Sequence, residues 1–230
     1  MIGFIYSNQG SLFGHSDVVG FGKDDFYVKL IERDVANEII RKNHYSGKFY
    51  NLSLFHFGLF LGGKLLGILQ FGHLMNPASY ASVVSETSEG EALELNRMWV
   101  SDLCPRNTES QAISYCIKVL VKANRSLKWI QSFADERCGL YGVVYQAANF
   151  DYYGEHKSTF WDYCGEVFHN VAMTTNPPRN QKEAELQKNK ENATRYELRQ
   201  FRYIFFCKKS LRTKCNLEQK PYPKKAVQNV

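Results

Sequence analysis

The 230-residue chain has no Cys-x-x-Cys pair; its six cysteines are scattered at 104, 116, 138, 164, 207 and 215. That argues against a zinc knuckle and against a disulfide framework, so reduced thiols and a cytoplasmic setting are expected. Long hydrophobic runs are also missing. The most apolar stretch, Leu52–Leu61, is too short to cross a bilayer and carries His56. The opening MIGFIYSNQGSLFGHSD has no basic segment followed by an apolar one, so no signal peptide is expected. No internal repeat is visible, which sets solenoids and propellers aside. A strong charge of one sign is absent too: 29 basic against 23 acidic residues give a net charge of +6, compatible with a nucleic-acid partner without identifying one. Sequons at Asn51, Asn124 and Asn192 carry no weight in such a protein. What remains, at 44% hydrophobic content, is enough for a single sizeable core.

The chain is organised around Glu91–Gly154. A strand-like run, Leu93–Val100, leads through a polar loop, Ser101–Asn107, to a helical segment from Thr108 to about Asn124. A second strand-like run, Trp129–Ala134, ends on Asp135, and another helical run covers about Gly139–Asn149. This alternation predicts a βαβα unit with two neighbouring parallel strands, whose ligands belong at the carboxyl ends of the strands. Those ends are Ser101–Asn107 and Asp135–Cys138. Ala112, Ile113, Cys116, Ile117, Leu120 and Ala123 give the first helix one apolar face. Asn107 or Thr108 suits its N-cap, with Glu109 in the first turn. Arg106, Asn107, Thr108 and Ser110 are the cofactor-binding candidates, because free N–H groups at a helix start beside an arginine can receive an anionic group. A well-capped helix without a ligand explains the same spacing.

Elsewhere, residues 1–25 read as an irregular lead-in and Phe26–Ile31 as a strand. Asp34 is placed to cap a helix over Val35–Lys42, with Val35, Ile39 and Ile40 as its buried side. Leu52–Leu61 and Lys64–Phe71 flank Gly62-Gly63, a two-residue hairpin signal. Residues 76–91 read as a polar loop, Glu155–Trp161 and Phe201–Cys207 as strands, and Thr174–Asn192 as a loop joined to an exposed helix. The expected organisation is one catalytic domain over 1–208 and a basic, mobile tail over 209–230, which includes Lys225.

That order of elements resembles the GNAT acyltransferase fold: α/β, with a mixed, mostly antiparallel sheet holding a central parallel strand pair and flanked by helices. Tyr145-Gln146-Ala147-Ala148-Asn149-Phe150 followed by Tyr153-Gly154 looks like that superfamily's last helix and the turn after it. Five motifs, four of them new, narrow the likeness: Asn43-His44-Tyr45-Ser46, Glu94-Leu95-Asn96-Arg97-Met98-Trp99-Val100, Asn107-Thr108-Glu109-Ser110, Ser132-Phe133-Ala134-Asp135 and the Tyr145–Phe150 phrase itself. Together, from about Phe26 to Lys208, they resemble the Mom family of phage DNA-modification proteins. The resemblance implies conversion of adenine in double-stranded DNA to an N6-carbamoylmethyl form that shields phage DNA from restriction enzymes. It also implies acetyl-CoA as donor and an iron requirement. The loop Cys104–Ser110 departs from the usual CoA cradle: it has no glycine, and Glu109 repels phosphate. Glycyl-tRNA is therefore the rival donor. A glycyl group delivered to N6 gives the product by acid–base chemistry alone, through attack of its free amine on the ring carbon and collapse of a five-membered spiro intermediate.

The N6 amine is a poor nucleophile, so a catalyst must orient it, remove a proton and stabilise an oxyanion. His44 is the expected base, Tyr45 an oxyanion donor or stacking group, and Asp135 an orienting carboxylate or adenine ligand. Arg97 is expected on the face of Leu95 and Trp99 with a paired charge, and Tyr145 as the acid for the leaving group. Helix-end packing, capping and aromatic packing are the bland roles for the same residues. A metal site requires His44, Tyr45 and Asp135 brought together by folding. The target base must leave the stack, and Arg199, Arg202, Lys208 and Lys209 are the DNA-binding candidates. Two rivals stay open: an ordinary CoA-dependent N-acyltransferase on a protein or small amine, and a non-catalytic nucleic-acid-binding module.

Overall fold

The structure is a computed structural model and describes residues 19–21, 26–139 and 141–224. Most of the expected lead-in, Leu140, Lys225 and the last five residues lie outside that set. Nine strands form one sheet among the described residues: β1 (Val19–Phe21), β2 (Phe26–Leu30), β3 (Ser53–Leu61), β4 (Lys64–Gly72), β5 (Ala92–Val100), β6 (Trp129–Asp135), β7 (Asp151–Tyr163), β8 (Glu166–His169) and β9 (Thr194–Phe206). Their order is β1-β2-β3-β4-β5-β6-β9-β7-β8. Only β5 and β6 run parallel; every other pair is antiparallel. The helices are α1 (Arg33–Asn43), α2 (Ser79–Val83), α3 (Thr108–Ala123), α4 (Val143–Ala147), α5 (Val171–Thr174) and α6 (Gln181–Lys188). This is the expected mixed sheet with one central parallel pair and flanking helices. No helix among the described residues is long and apolar enough to cross a membrane.

The two faces of the sheet differ. On one, α3 sends Ala112, Ile113, Cys116, Ile117 and Leu120 against Leu93, Leu95, Ile130, Phe201 and Tyr203, as its three- and four-residue spacing demands. On the other, Ala36 and Ile40 of α1 pack on Ile68, while α2 covers Ala92, Trp129, Ile204 and Phe206. α1 begins two residues before its expected start, and Asp34 lies in its first turn rather than at its cap. Val35, expected to be buried, is 45% exposed; Ala36, Asn37 and Ile40 face the sheet instead. The second half of the parallel unit also differs: a short 3-10 turn over Glu136–Cys138 and the five-residue α4 replace a continuous helix, with Gly139 and Gly142 both at positive φ between them. The polar loop 76–91 contains α2.

The expected mobile tail touches the body as far as Tyr222. Arg212 makes a two-pronged ion pair with Asp151 (2.6 and 3.0 Å), Cys215 bridges Val84, Lys220 bridges Tyr152, and the Tyr222 hydroxyl donates to the Phe150 carbonyl at 2.7 Å. Leu211, Cys215 and Leu217 join the α2-side core, which the basic composition of the segment hides.

Two irregularities position the site. The β4–β5 register shifts between Gln70 and Phe71, so that Gln70 faces Arg97 and Phe71 faces Leu95, with Asn96 the extra residue. The bulge turns Arg97 and Trp99 to the α1 face while Leu95 packs under α3. Simple alternation had put all three on one face; the bulge corrects that. Close by, Gly72 pairs with Glu94. A Cβ there would lie 2.0 Å from the Leu52 carbonyl oxygen, 2.6 Å from Ser53 Cα and 2.8 Å from Asn96 Oδ1. Gly72→Ala is therefore expected to lower stability by about 3 kcal/mol, measured as a shift in the urea midpoint at unchanged slope.

Candidate active site at the divergence of the parallel strands

β5 and β6 stay paired only through Ala92–Trp129, Leu93–Ile130 and Glu94–Gln131. Beyond that β5 keeps to β4 as far as Val100, and β6 keeps to β9 as far as Asp135. A wedge opens between the carboxyl ends of the pair. Side chains take over backbone acceptors there: Ser132 Oγ donates to the Leu95 carbonyl (3.1 Å) and Arg97 Nη1 to the Asn96 carbonyl (2.7 Å). This is the strand-end position where α/β sheets bind ligands.

Glu94 sits at the apex on the α1 face, 6% exposed. Its carboxylate accepts from Gln131 Nε2 at 2.7 Å and Asn96 Nδ2 at 3.4 Å, and Asn96 Oδ1 accepts from Ser53 Oγ at 3.2 Å. Desolvation outweighs these bonds and raises the Glu94 pKa above the usual carboxylate value. Arg97 forms one wall. Its Nε donates to the Lys48 carbonyl at 2.9 Å and its guanidinium lies 5.6 Å from the Tyr50 ring centre. Among the described residues it has no carboxylate at ion-pair distance, and burial lowers its pKa. The paired charge expected for Arg97 is thus replaced by backbone carbonyls.

The opposite wall comes from the end of β6. Asp135 is 5% exposed and holds Arg137 through both oxygens, at 2.9 Å to Nε and 2.6 Å to Nη2. Oδ1 also accepts from the Arg137 backbone N–H at 3.0 Å, which starts the 3-10 turn. Arg137 in turn lies 4.9 Å from the Tyr45 ring centre and 4.9 Å from that of Phe160, a cation held between aromatic faces. Next to it, Arg202 lies over Phe133 at 5.1 Å, and Phe133 meets His156 edge-on at 5.4 Å.

His44 and Tyr45 follow α1 with ring centres 4.2 Å apart. His44 Nδ1 accepts from the Ser46 backbone N–H at 3.2 Å, so the neutral ring carries its proton on Nε2. Desolvation, with Arg97 and Arg137, lowers its pKa to about 4. At neutral pH His44 is a donor, and the base role expected for it does not fit this geometry. Its pKa is 6.5 when unperturbed and about 4 in the fold, so the unfolded chain binds a proton in that interval that the folded chain does not. Stability is therefore expected to fall as pH drops from about 6.5 towards about 4, less steeply in His44→Gln, as urea midpoints at several pH values will show. The Tyr45 phenol is raised by desolvation and by Asp135, so it too keeps its proton, although the residue is 55% exposed at the rim.

Tyr145 lies on the other face, buried against Phe150 and Tyr203. It is hydrogen-bonded to Ser132 at the apex of the wedge, and burial pushes its phenol up to about 12. The amino end of α3 borders the same region. Asn107 occupies its N-cap at φ 72 with no side-chain cap bond, while Thr108 Oγ1 donates to Pro105 (2.7 Å) and Ser110 Oγ to Asn107 (3.0 Å). Both hydroxyls are turned back into the loop, and Arg106 and Asn107 are exposed.

Folding thus gathers His44, Tyr45, Arg97 and Asp135 around one cleft and leaves Tyr145 at its apex from behind. The expected metal set does not fit. Asp135 spends both oxygens on Arg137, His44 Nδ1 is taken, Tyr45 is held protonated, and among the described residues no group of three His, Cys, Asp or Glu is placed to hold a metal. The expected DNA-binding set also divides. Arg199 is paired with Glu136 (2.8 Å) and Glu155 (3.5 Å), and Arg202 is turned into the cleft, whereas Lys208 and Lys209 are exposed. Glu94, Gln131, Tyr50, Arg137 and Phe133, which the sequence did not single out as candidates, also stand at this cleft. Glu94 and Gln131 carried a signal, each a polar residue interrupting an apolar, β-prone run.

Fold and cleft together describe a mixed α/β protein whose candidate site lies where its parallel strand pair splits. The Mom protein family matches residues 25–224, and the chain belongs to that family. It is 45% identical over 210 residues to methylcarbamoylase mom of Escherichia phage Mu, covering 90% of this chain and 87% of that one. Among solved structures it is similar to the ribosomal-protein-S5-alanine acetyltransferase of Vibrio fischeri (TM-score 0.48, 13% identity, 83% of this chain and 98% of that one). It is also similar to NAA60 of Arabidopsis thaliana in complex with acetyl-CoA (TM-score 0.49, 10% identity, 79% of this chain and 99% of that one).

Proposed function

We propose that the chain is a DNA-modifying transferase that places a carbamoylmethyl group on N6 of adenine. Membership of the Mom family and the name of the phage Mu relative support the reaction. The observation that carries the mechanism is Glu94, a buried carboxylate of raised pKa at the apex of the wedge. A carboxylate in that setting is a better proton acceptor than an exposed one, and better than His44 here. In this reading Glu94 takes the amine proton, Arg97 and the Nε2–H of His44 stabilise the oxyanion, and Tyr45 and Arg137 close over the target base. A glycyl group so delivered becomes carbamoylmethyl as its free amine bonds to ring carbon C6 and the original C6–N bond breaks, leaving that nitrogen as the terminal amide. Tyr145 protonates the leaving group from the α3 face, where the donor enters.

The donor is an activated acyl compound seated between the α3 amino end and the wedge. Arg106 supplies charge for an anionic carrier, and the first-turn N–H groups, left without a side-chain cap, supply donors. Labelled glycine or labelled acetate fed to expressing cells assigns the transferred carbon to one donor. DNA phosphates rest on Lys208 and Lys209, with the adenine turned out of the stack.

The test is to express the protein in a bacterial host, digest the DNA to nucleosides and look by mass spectrometry for deoxyadenosine carrying a glycinamide-sized increment. Its presence with wild type and absence with Glu94→Gln supports the reading. Folded, well-expressed protein that leaves adenine unaltered overturns it. CoA binding with acetylation of a protein or small amine then favours the ordinary acyltransferase.

A further inference from the structure

Among the described residues, four buried side-chain atoms lack a hydrogen-bond partner: Tyr50 hydroxyl, Gln70 Oε1, Gln131 Oε1 and Arg202 Nε. Gln70 lies under α1, where its amide nitrogen serves Asn37 and His56. The other three surround Glu94: Gln131 binds it directly, and its charge acts on both Tyr50 and Arg202. Buried polar atoms are nearly always satisfied, so a cluster of orphans beside a cleft marks groups kept for a ligand.

Their chemistry is specific. Gln131 Oε1 only accepts and Arg202 Nε–H only donates. Arg202 sits opposite Phe133 and Gln131 opposite Ile204, which makes Gln131 and Arg202 diagonal neighbours on one face of β6 and β9. Such residues lie roughly 7–8 Å apart at Cα, within mutual reach of long side chains. An acceptor next to a donor complements the amidine edge of adenine, where the exocyclic N–H lies beside a ring nitrogen; guanine and thymine present a carbonyl oxygen there instead. Phe133, under the Arg202 guanidinium, adds an aromatic surface beside the pair.

We propose that Gln131 and Arg202 read a flipped-out adenine by its amidine edge: Gln131 Oε1 accepts one exocyclic N–H, and Arg202 Nε donates to the neighbouring ring nitrogen. Glu94, held by the Gln131 amide nitrogen, faces the second exocyclic hydrogen. The same glutamine thus orients the base and the substrate. This rests on the proposed reaction at the same cleft, but recognition is separable from chemistry.

The test is binding without donor, by fluorescence anisotropy. Short labelled oligothymidines carry one central adenine, 1-deazaadenine, 7-deazaadenine, purine or cytosine. Wild type is expected to bind adenine tightest, with roughly tenfold or greater loss for purine, which lacks the amine, and for one of the two deaza bases. Which deaza base loses affinity identifies the ring nitrogen. Arg202→Met is expected to erase the deaza penalty at wild-type melting temperature, and Gln131→Met to reduce the purine penalty, with Glu94 still facing the second exocyclic hydrogen and with some loss of stability from its missing amide partner. Equal binding of all purines by wild type overturns the proposal, and so does a deaza penalty that survives Arg202→Met. Cytosine bound as well as adenine overturns the assignment to adenine, since it carries the same donor–acceptor pair on a smaller ring. Should the methionine variants fail to fold, the wild-type series with Arg202→Lys decides. An intact binding series without modified nucleosides sinks the reaction and keeps the pocket; modified nucleosides with a flat series do the reverse.

Discussion

Glu94→Gln is expected to lower adenine modification by about 10²–10⁴-fold, the usual contribution of a positioned general base, while leaving the fold at least as stable as wild type. The two halves of that expectation have one cause. Burial raises the Glu94 pKa, which means that its charged form is disfavoured where it sits. Glutamine has the same shape, keeps its one acceptor oxygen for the short bond from Gln131 and gives up only the 3.4 Å bond from Asn96, and it has no charge to desolvate. Loss of activity with an unchanged or higher melting temperature marks a catalytic group; loss of both marks a structural one. The pH dependence follows with the same sign. Activity should rise as pH climbs through the raised pKa, since the base is then ionised, whereas His44 titrates too low to shape the profile near neutrality.

Asp135→Ala should act differently. Asp135 holds Arg137 through both oxygens, and Arg137 sits between Tyr45 and Phe160. Removing the carboxylate leaves a half-buried cation without its partner, for a stability loss of about 2 kcal/mol. It also frees the Tyr45–Arg137 wall, and misplacement on that scale costs about 10²-fold in rate. The double variant Asp135→Ala/Arg137→Met has no orphan charge. Its urea midpoint should recover towards wild type while the modified nucleoside stays low. Recovery of both would reduce the pair to a structural role.

Much of this was written in local sequence. The α3 periodicity and the β-prone runs around it placed the parallel pair, and Asp135 could be put at a strand end by counting. The wedge was not legible, because it depends on where two strands stop pairing, and neither β5 nor β6 changes composition there. The face of Arg97 was misjudged because a bulge at Asn96 has no Gly or Pro to announce it. α4 fell short of its expected length because Gly139 and Gly142 take left-handed backbone positions that cap or precede a turn. The base role of His44 followed from its residue type and position after α1. Its tautomer and depressed pKa depend on Ser46, Arg97 and Arg137, of which only Ser46 is a near neighbour in the chain. Glu94 is hidden in the sequence because a carboxylate in a strand reads first as solvent-facing, and only folding shows it buried.

The last long strand, β9, lies between β6 and β7, both made much earlier in the chain. Until Thr194–Phe206 has left the ribosome, β6 has no partner on that side, Arg202 is missing from the cleft, and the wall carrying Asp135 is unsupported. A growing chain, or one cut short by a nonsense codon, therefore lacks one wall of the candidate site.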